Sequence, residues 1–154
     1  MQTKIYNEDQ GNNFGKWDDE ISKFLYYTST KEIIDKIKVP KSLVGDYGGG
    51  NGLIKELIPN SISIDIDDSK NPDIIDNIIT HSLHYDLVII RYVLHYLNDY
   101  EVLTLFKNIN SLNVLIIQFT NDDLKSKYQN SINEFKYFRT TDQLKSLLPK
   151  NLKE

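Results

Sequence analysis

The chain has 154 residues, with 18 basic side chains against 22 acidic ones, a net charge of −4 and a pI near 5.4. That is the length of one domain able to bury a core, and the acidic balance speaks against a protein built mainly to hold nucleic acid, which wants a basic face. The absence of cysteine excludes disulfides, thiolate metal sites and cysteine nucleophiles, and His81, His84 and His95 show no metal-ligand spacing. The first sixteen residues are polar and read as a mobile arm, with no apolar stretch of signal-peptide length and no membrane span after them. A cytoplasmic setting is therefore expected. The chain has no alanine and only two arginines, Arg91 and Arg139. This bias fits an AT-rich genome and singles out each arginine for attention.

Trp17 to Tyr27 carries Ile21, Phe24 and Leu25 at helical spacing, and its aromatic residues suit either core packing or a lid. Ser29-x-x-Glu32 has the form of a capping box, so a second helix is expected from Ser29, burying Ile33, Ile34 and Ile37 and ended by Pro40. Ser42–Tyr47 reads as the first strand. Five of the seven glycines in the chain lie between Gly45 and Gly52, and so dense a cluster implies left-handed backbone or close approach of a ligand. Leu53–Ile58 follows with helical apolar spacing and stops at Pro59-Asn60. Strand, glycine loop and helix in succession place this turn at the carboxyl end of a strand, where α/β sheets bind ligands.

Ser61–Asp67 alternates apolar and polar residues and reads as a second strand. Asp65 stands nineteen residues after Asp46, the spacing at which an acid reaches a ribose hydroxyl, with Asp67 and Asp68 as rivals. A short third strand is expected around Ile74-Ile75, ending at Asp76. Tyr85–Ile90 is a nearly continuous apolar run, as in a parallel strand covered on both faces. Asn98-x-x-Glu101 caps a helix burying Val102, Leu105, Phe106 and Ile109, and Asn113–Phe119 is a fifth strand. Polar sequence then runs to Asn133. Thr140-x-x-Gln143 starts a last helix, which buries Leu144, Leu147 and Leu148 and is closed by Pro149. The alternation predicts an α/β fold in one domain: a Rossmann-like, doubly wound, mostly parallel sheet of about five or six strands, with helices on both faces.

Asp46-x-Gly48-x-Gly50-x-Gly52 departs from the dinucleotide fingerprint, whose last glycine stands three residues after the second. It resembles motif I of the class I S-adenosylmethionine-dependent methyltransferases. Tyr85-Asp86-Leu87-Val88 followed by Val93-Leu94-His95-Tyr96-Leu97 is similar to the motif IV region of that family, and Phe138-Arg139-Thr140-Thr141 to a segment after its fifth strand. The likeness covers Ser42 to Phe119. It implies S-adenosyl-L-methionine as cofactor, with Asp46, Gly48, Gly49, Gly50 and Gly52 around its methionine portion. Asp65 would take the ribose hydroxyls, Ile66 would lie against the adenine, and Asp76 or the backbone of Asn77 would meet the adenine amino group. Arg91 and Tyr92 would stand beside the methyl group. Arg91, Tyr92 and His95 are the weak catalytic candidates, and for His95 packing or capping is the favoured role.

The implied activity is methyl transfer to an unidentified acceptor, a small molecule or protein rather than a long nucleic acid. The alternatives are a non-catalytic partner or regulatory subunit and, less favoured, a nicotinamide-binding domain. Two features depart from the family. Asn110–Asn113 replaces the usual Pro-Gly-Gly turn, and a single helix follows the fifth strand where two further strands are usual. An apolar Val114–Ile117 at a sheet edge invites pairing, so a homodimer or protein partner is expected unless Glu134–Phe138 returns as a sixth strand.

Overall fold

In the computed structural model, which describes residues 20–50, 52–118, 120 and 137–152, five short parallel strands form one sheet. Helix α1 spans Glu20–Lys36, β1 Val44–Tyr47, α2 Leu53–Leu57, β2 Ile62–Asp65 and β3 Ile74–Ile75. After them come β4 at Leu87–Arg91, α3 at Asp99–Asn108, β5 at Val114–Ile117 and α4 at Thr141–Leu147, with single 3-10 turns at Asp68–Lys70 and Leu94–Tyr96. The strand order is β3-β2-β1-β4-β5, and every pairing is parallel.

The near-continuous apolar character of β4 is explained by burial on two sides. Leu87 and Ile89 face a cluster with Val44, Ile54, Ile58 and Ile34 of α1. Val88 and Ile90 face the larger cluster containing Tyr47, Ile64, Tyr85, Val102, Leu105 and Leu144. Helices α1 and α2 therefore cover one face and α3 and α4 the other, the doubly wound arrangement that the alternation predicts. Both later capping boxes form as expected. The Asn98 side chain accepts from the Glu101 N–H at 2.8 Å, and Thr140 accepts from the Gln143 N–H at 3.2 Å, each reciprocated by the acidic or amide partner.

The expected break at Ser29 does not occur. Helix α1 runs through Ser29 without interruption, so Ser29-x-x-Glu32 lies inside a helix and marks no helix start. Thr30, one residue on, is fully buried, and its hydroxyl ties α1 to the sheet (below). Tyr85 also falls outside the strand it was expected to open. It precedes β4, held by its N–H to the Asn110 carbonyl at 3.1 Å. Strand β5 is the outermost strand among the described residues. Trp17, the first sixteen residues and most of the segment expected as a sixth strand, Glu134–Lys136, lie outside those residues, as do the side chains of Phe24 and Tyr26. Among the described residues no helix is long and apolar enough to cross a membrane, and no cluster of histidine and carboxylate side chains could hold a metal ion.

Candidate cofactor site

Strand order reverses between β1 and β4, so the chain leaves their carboxyl ends in opposite directions and opens a crevice there. The glycine loop leaves β1 at this point. Gly48, Gly50 and Gly52 take φ values of 74°, 53° and 79°, which explains the every-second-residue spacing as three left-handed residues in alternation. Gly49 is glycine for another reason. A Cβ there would come within 2.7 Å of the Asp46 Oδ2 and 3.0 Å of Ser63 Cβ, so the loop lies directly on these two side chains.

Along β1, Val44 and Asp46 point to the α1–α2 face, and parallel register brings Ile89 of β4 and Ser63 of β2 beside Asp46. Asp65 and Arg91 end β2 and β4 on that same face by the two-residue period of strands. Asp46 and Asp65 are each only 3% exposed. Burial pushes the Asp46 carboxyl up to about 7. Arg91 and Lys55 oppose the shift, and the neighbouring Asp65 adds to it. The Asp65 Oδ1 accepts the Asp67 N–H at 3.0 Å. Its Oδ2 is buried and has no hydrogen-bond partner among the described residues. A buried acceptor left without a donor costs about 1–3 kcal/mol, so this atom wants a hydroxyl or amino group supplied from outside.

Asp67 and Asp68 are not its equals. The Asp67 Oδ1 accepts the Ser69 N–H and hydroxyl at 3.0 and 2.6 Å to form a surface turn, and Asp68 is exposed. Ile66 and Ile75 flank the end of the β2–β3 pair and are 68% and 63% exposed, two apolar side chains at the rim of the crevice. Asp76 follows β3 and is brought to Asp65 by its own N–H on the Asp65 carbonyl at 3.1 Å. The backbone of Asn77 is engaged elsewhere. Its N–H donates to the Asp76 Oδ1 at 2.8 Å, and its carbonyl accepts from the N–H groups of Thr80 and His81 at 3.1 and 3.0 Å. That leaves the Asp76 carboxylate as the acceptor at this position.

At the end of β4, the Arg91 Nε donates to the buried Thr30 hydroxyl at 3.2 Å, and its guanidinium lies 4.8 Å from the Tyr92 ring centroid. Tyr92 itself has φ 55°, a conformation uncommon for a bulky side chain, and its N–H is held by the Ile117 carbonyl at 2.8 Å. Strain of this kind persists only where the surroundings enforce it, and it is concentrated at ligand sites.

His95 is not placed to act as a base. The Gln118 Oε1 accepts the Leu94 N–H at 3.1 Å, so its amide nitrogen is the donor to His95 Nδ1 at 3.0 Å, and the ring proton of the neutral imidazole sits on Nε2. Burial pushes the imidazole down to about 3, with Gln118 opposing and Arg139 adding to the shift. His95 is thus buried and neutral beside Leu94 and Gln118.

Sequence reasoning did not single out Thr30, Ser63, Lys55, His81 or the true role of Arg139. Arg139, 9% exposed, donates from Nη1 to the Leu94 carbonyl at 2.9 Å and from Nη2 to the Leu97 carbonyl at 2.6 Å. Its Nε and Nη2 also reach the Asp99 carboxylate at 3.0 and 2.9 Å. The rarity of arginine was a usable signal here, but its partners stand forty residues away in sequence.

No family profile matches the chain, and no curated protein matches it in sequence. Solved structures do match in shape. CalO1, a methyltransferase of calicheamicin biosynthesis determined with S-adenosylhomocysteine bound, superposes at a TM-score of 0.58 with 15% identity, over 94% of this chain and 53% of its own. The plantazolicin methyltransferase BpumL, also with S-adenosylhomocysteine, gives 0.60 and 16%, over 96% of this chain and 72% of its own. An S-adenosylmethionine-dependent methyltransferase from Thermotoga maritima gives 0.66 and 12%, over 96% and 78%. The chain thus spans about half the length of CalO1 and roughly three quarters of the other two. Strand order, glycine turn and these superpositions agree: the fold of this chain is that of the class I S-adenosylmethionine-dependent methyltransferases.

Proposed function

We propose that the chain binds S-adenosylmethionine at the carboxyl ends of β1 and β2 and transfers its methyl group to an acceptor. The observation that carries this reading is the buried Asp65 Oδ2, an acceptor with no donor among the described residues, beside a loop of three left-handed glycines. The residues present fit the group. Asp65 suits a ribose hydroxyl, Ile66 and Ile75 suit the face of a base, and Asp76 suits an amino donor. Asp65, and Asp46 once ionised, would favour a cationic ligand beside them.

When bound, S-adenosylmethionine supplies a methyl group already activated on a sulfonium. What the protein's own residues do is bind, orient and exclude water. Transfer of this type needs a nucleophile held about 3–3.5 Å away and in line, so positioning can supply most of the acceleration and no triad is required. Asp46 sits under Gly49 and ionises reluctantly, so a cation in the crevice favours its charged form and draws its pKa down. Arg91 is pinned to α1 through Thr30 and, with Tyr92, forms the wall of the crevice at the end of β4. The acceptor would approach past this wall. On this reading Gly48–Gly50, Gly52, Asp65, Ile66 and Asp76 would serve the cofactor, and Arg91 and Tyr92 the reacting end.

A non-catalytic member of the fold, a partner or regulatory subunit, is the second reading, and retained cofactor binding without turnover would point to it. A thermal-shift and calorimetric comparison of S-adenosylhomocysteine with NAD and NADP tests the binding. A ligand at a hundred times its Kd stabilises by about 2.7 kcal/mol, readily seen for one domain. The expected result is stabilisation by the sulfur nucleoside alone. A chain stabilised by NAD instead, or by none of these at millimolar concentration, would overturn the reading.

A further inference from the structure

We propose that His81 is a positioning residue for the cofactor's base, holding the Asp76 carboxylate from behind in one orientation. The inference rests on the cofactor reading above. His81 is 3% exposed and lies between two partners, its Nδ1 2.8 Å from Asp76 Oδ2 and its Nε2 2.8 Å from the Tyr85 hydroxyl. An ionised carboxylate only accepts, so Nδ1 carries the proton. In the neutral ring Nε2 then accepts from the Tyr85 O–H. The chain of donors runs one way, from Tyr85 through His81 to Asp76.

The surroundings are built to hold this chain. Asn77 forms the turn that returns His81 beneath Asp76, its side-chain oxygen accepting the Ile79 N–H at 3.0 Å and its carbonyl the His81 N–H at 3.0 Å. The Tyr47 ring meets His81 and Tyr85 edge-on, with centroids 5.7 and 6.1 Å away. Gly45 leaves room for Tyr85, because a Cβ there would stand 3.0 Å from the tyrosine ring. The crowding of glycine thus has a second purpose, at Gly45, that is unrelated to the loop.

A carboxylate offers about four acceptor positions. His81 and the Asn77 N–H occupy one on each oxygen of Asp76, and the side chain remains 44% exposed on its outer side. What stays available is one further acceptor position on each oxygen of a carboxylate held from two sides. Such an arrangement favours an amino donor on the base over a carbonyl oxygen, and the preference depends on the carboxylate being held.

Two substitutions separate positioning from packing. In His81→Asn the amide nitrogen reaches the place of Nδ1 and keeps the donor to Asp76. In His81→Gln the longer amide reaches the place of Nε2 and keeps only the tyrosine contact. Calorimetric affinities for S-adenosylhomocysteine and its 6-oxo analogue S-inosylhomocysteine read the outcome, with thermal unfolding of each variant beside them. Wild type should prefer the amino form, and His81→Asn should stay within about threefold of it. His81→Gln should bind roughly tenfold more weakly and lose the preference. Nitrogen-15 shifts of the unliganded wild type should show the His81 proton on Nδ1, and Tyr85→Phe should leave it there, because the Asp76 carboxylate still calls for a donor. Equal effects of the two amide variants, or a wild-type proton on Nε2, would overturn the proposal while leaving the cofactor reading intact. Wild type that binds neither nucleoside would overturn both.

Discussion

The chain buries charge at two places and treats it in opposite ways. At the junction of α3 and α4, Arg139 spends its guanidinium on the carbonyls of Leu94 and Leu97 and on the Asp99 carboxylate, so the buried cation is satisfied by the protein itself. Below the glycine loop, Asp46 and Asp65 are buried just as deeply, yet Asp46 has its pKa raised to about 7 and Asp65 keeps an oxygen with no partner among the described residues. The helix ends repeat the contrast. Those of α3 and α4 are closed by side-chain capping boxes, while α2 begins at Gly52, which has no side chain to offer. Internally satisfied charge is structure. Charge left wanting a partner marks where a ligand belongs, because an orphaned buried group is otherwise a net cost.

If that contrast is right, the largest loss of stability comes from the satisfied side. Arg139→Met removes two charge-assisted hydrogen bonds to buried carbonyls, worth about 1.5–3 kcal/mol each, and leaves the Leu97 carbonyl without its donor while that of Leu94 keeps the Leu97 N–H, so it should destabilise the fold by about 3–5 kcal/mol. Chemical denaturation measures this. The affinity of the folded fraction for S-adenosylhomocysteine should be nearly unchanged, and a large specific loss of binding would erase the distinction between the regions.

Next in size is a pH effect on the other side. The Asp46 carboxyl is raised from 3.8 to about 7 by burial, so the folded state holds a proton that the unfolded state has released. Stability from this group is therefore greatest below about 4 and falls as pH rises through 7. His95 works against it. Its pKa is lowered from 6.5 to about 3, so its contribution is present above 6.5 and lost as pH falls toward 3. The two slopes oppose each other through mildly acid pH, and only a difference curve isolates one. Asp46→Asn should gain on wild type by about 2–4 kcal/mol in total between pH 4 and 8. Parallel unfolding curves at all pH values would show that the Asp46 carboxyl is not perturbed.

How far these two regions could be read from sequence differs for a physical reason. Strands β1, β2, β4 and β5, the capping boxes at Asn98 and Thr140 and the left-handed glycines are local, carried by residues within a few positions of one another. The same local logic misled at Ser29, because Ser-x-x-Glu has the same spacing inside a helix as at its start. What distinguishes the two is whether the backbone before it is extended, and here α1 continues. Arg91 bonding Thr30, Arg139 bonding Leu94 and Tyr85 lying across Gly45 join residues forty or more positions apart, and no periodicity announces them. His81 is five residues from Asp76, close enough to notice, but five is neither a helical nor a strand spacing.

Third in size, Asp65→Ala should weaken binding of S-adenosylhomocysteine by about 1.5–3 kcal/mol, the range for hydrogen bonds to a charged group. Asp68→Ala, on the surface three residues past the strand, should do far less. The stability of the unliganded Asp65 variant should stay level or rise, since a buried carboxylate with an idle oxygen is removed. Calorimetry and urea titration on the two variants read both quantities. Equal weakening by the two substitutions would place the ribose contact elsewhere on the β2 exit.

The smallest expected effect is a matched pair of helix starts. Thr140→Ala deletes the cap of α4 and should cost about 1 kcal/mol of stability. Gly52→Ala should cost a similar amount for a different reason. Gly52 has φ 79°, where an L side chain is disfavoured by about 1–2 kcal/mol, while a Cβ there meets nothing within 4 Å, so strain is the whole of the cost. The two variants should therefore unfold at nearly the same urea concentration. Only Gly52→Ala should also change the affinity for S-adenosylhomocysteine, because the open space beside Gly52 lies on the loop that faces the crevice, whereas Thr140 closes a helix on the far side of the sheet. Equal stabilities with unequal affinities would confirm that one helix start serves the fold and the other a ligand. Equal affinities would mean that the left-handed turn only steers the chain from β1 into α2.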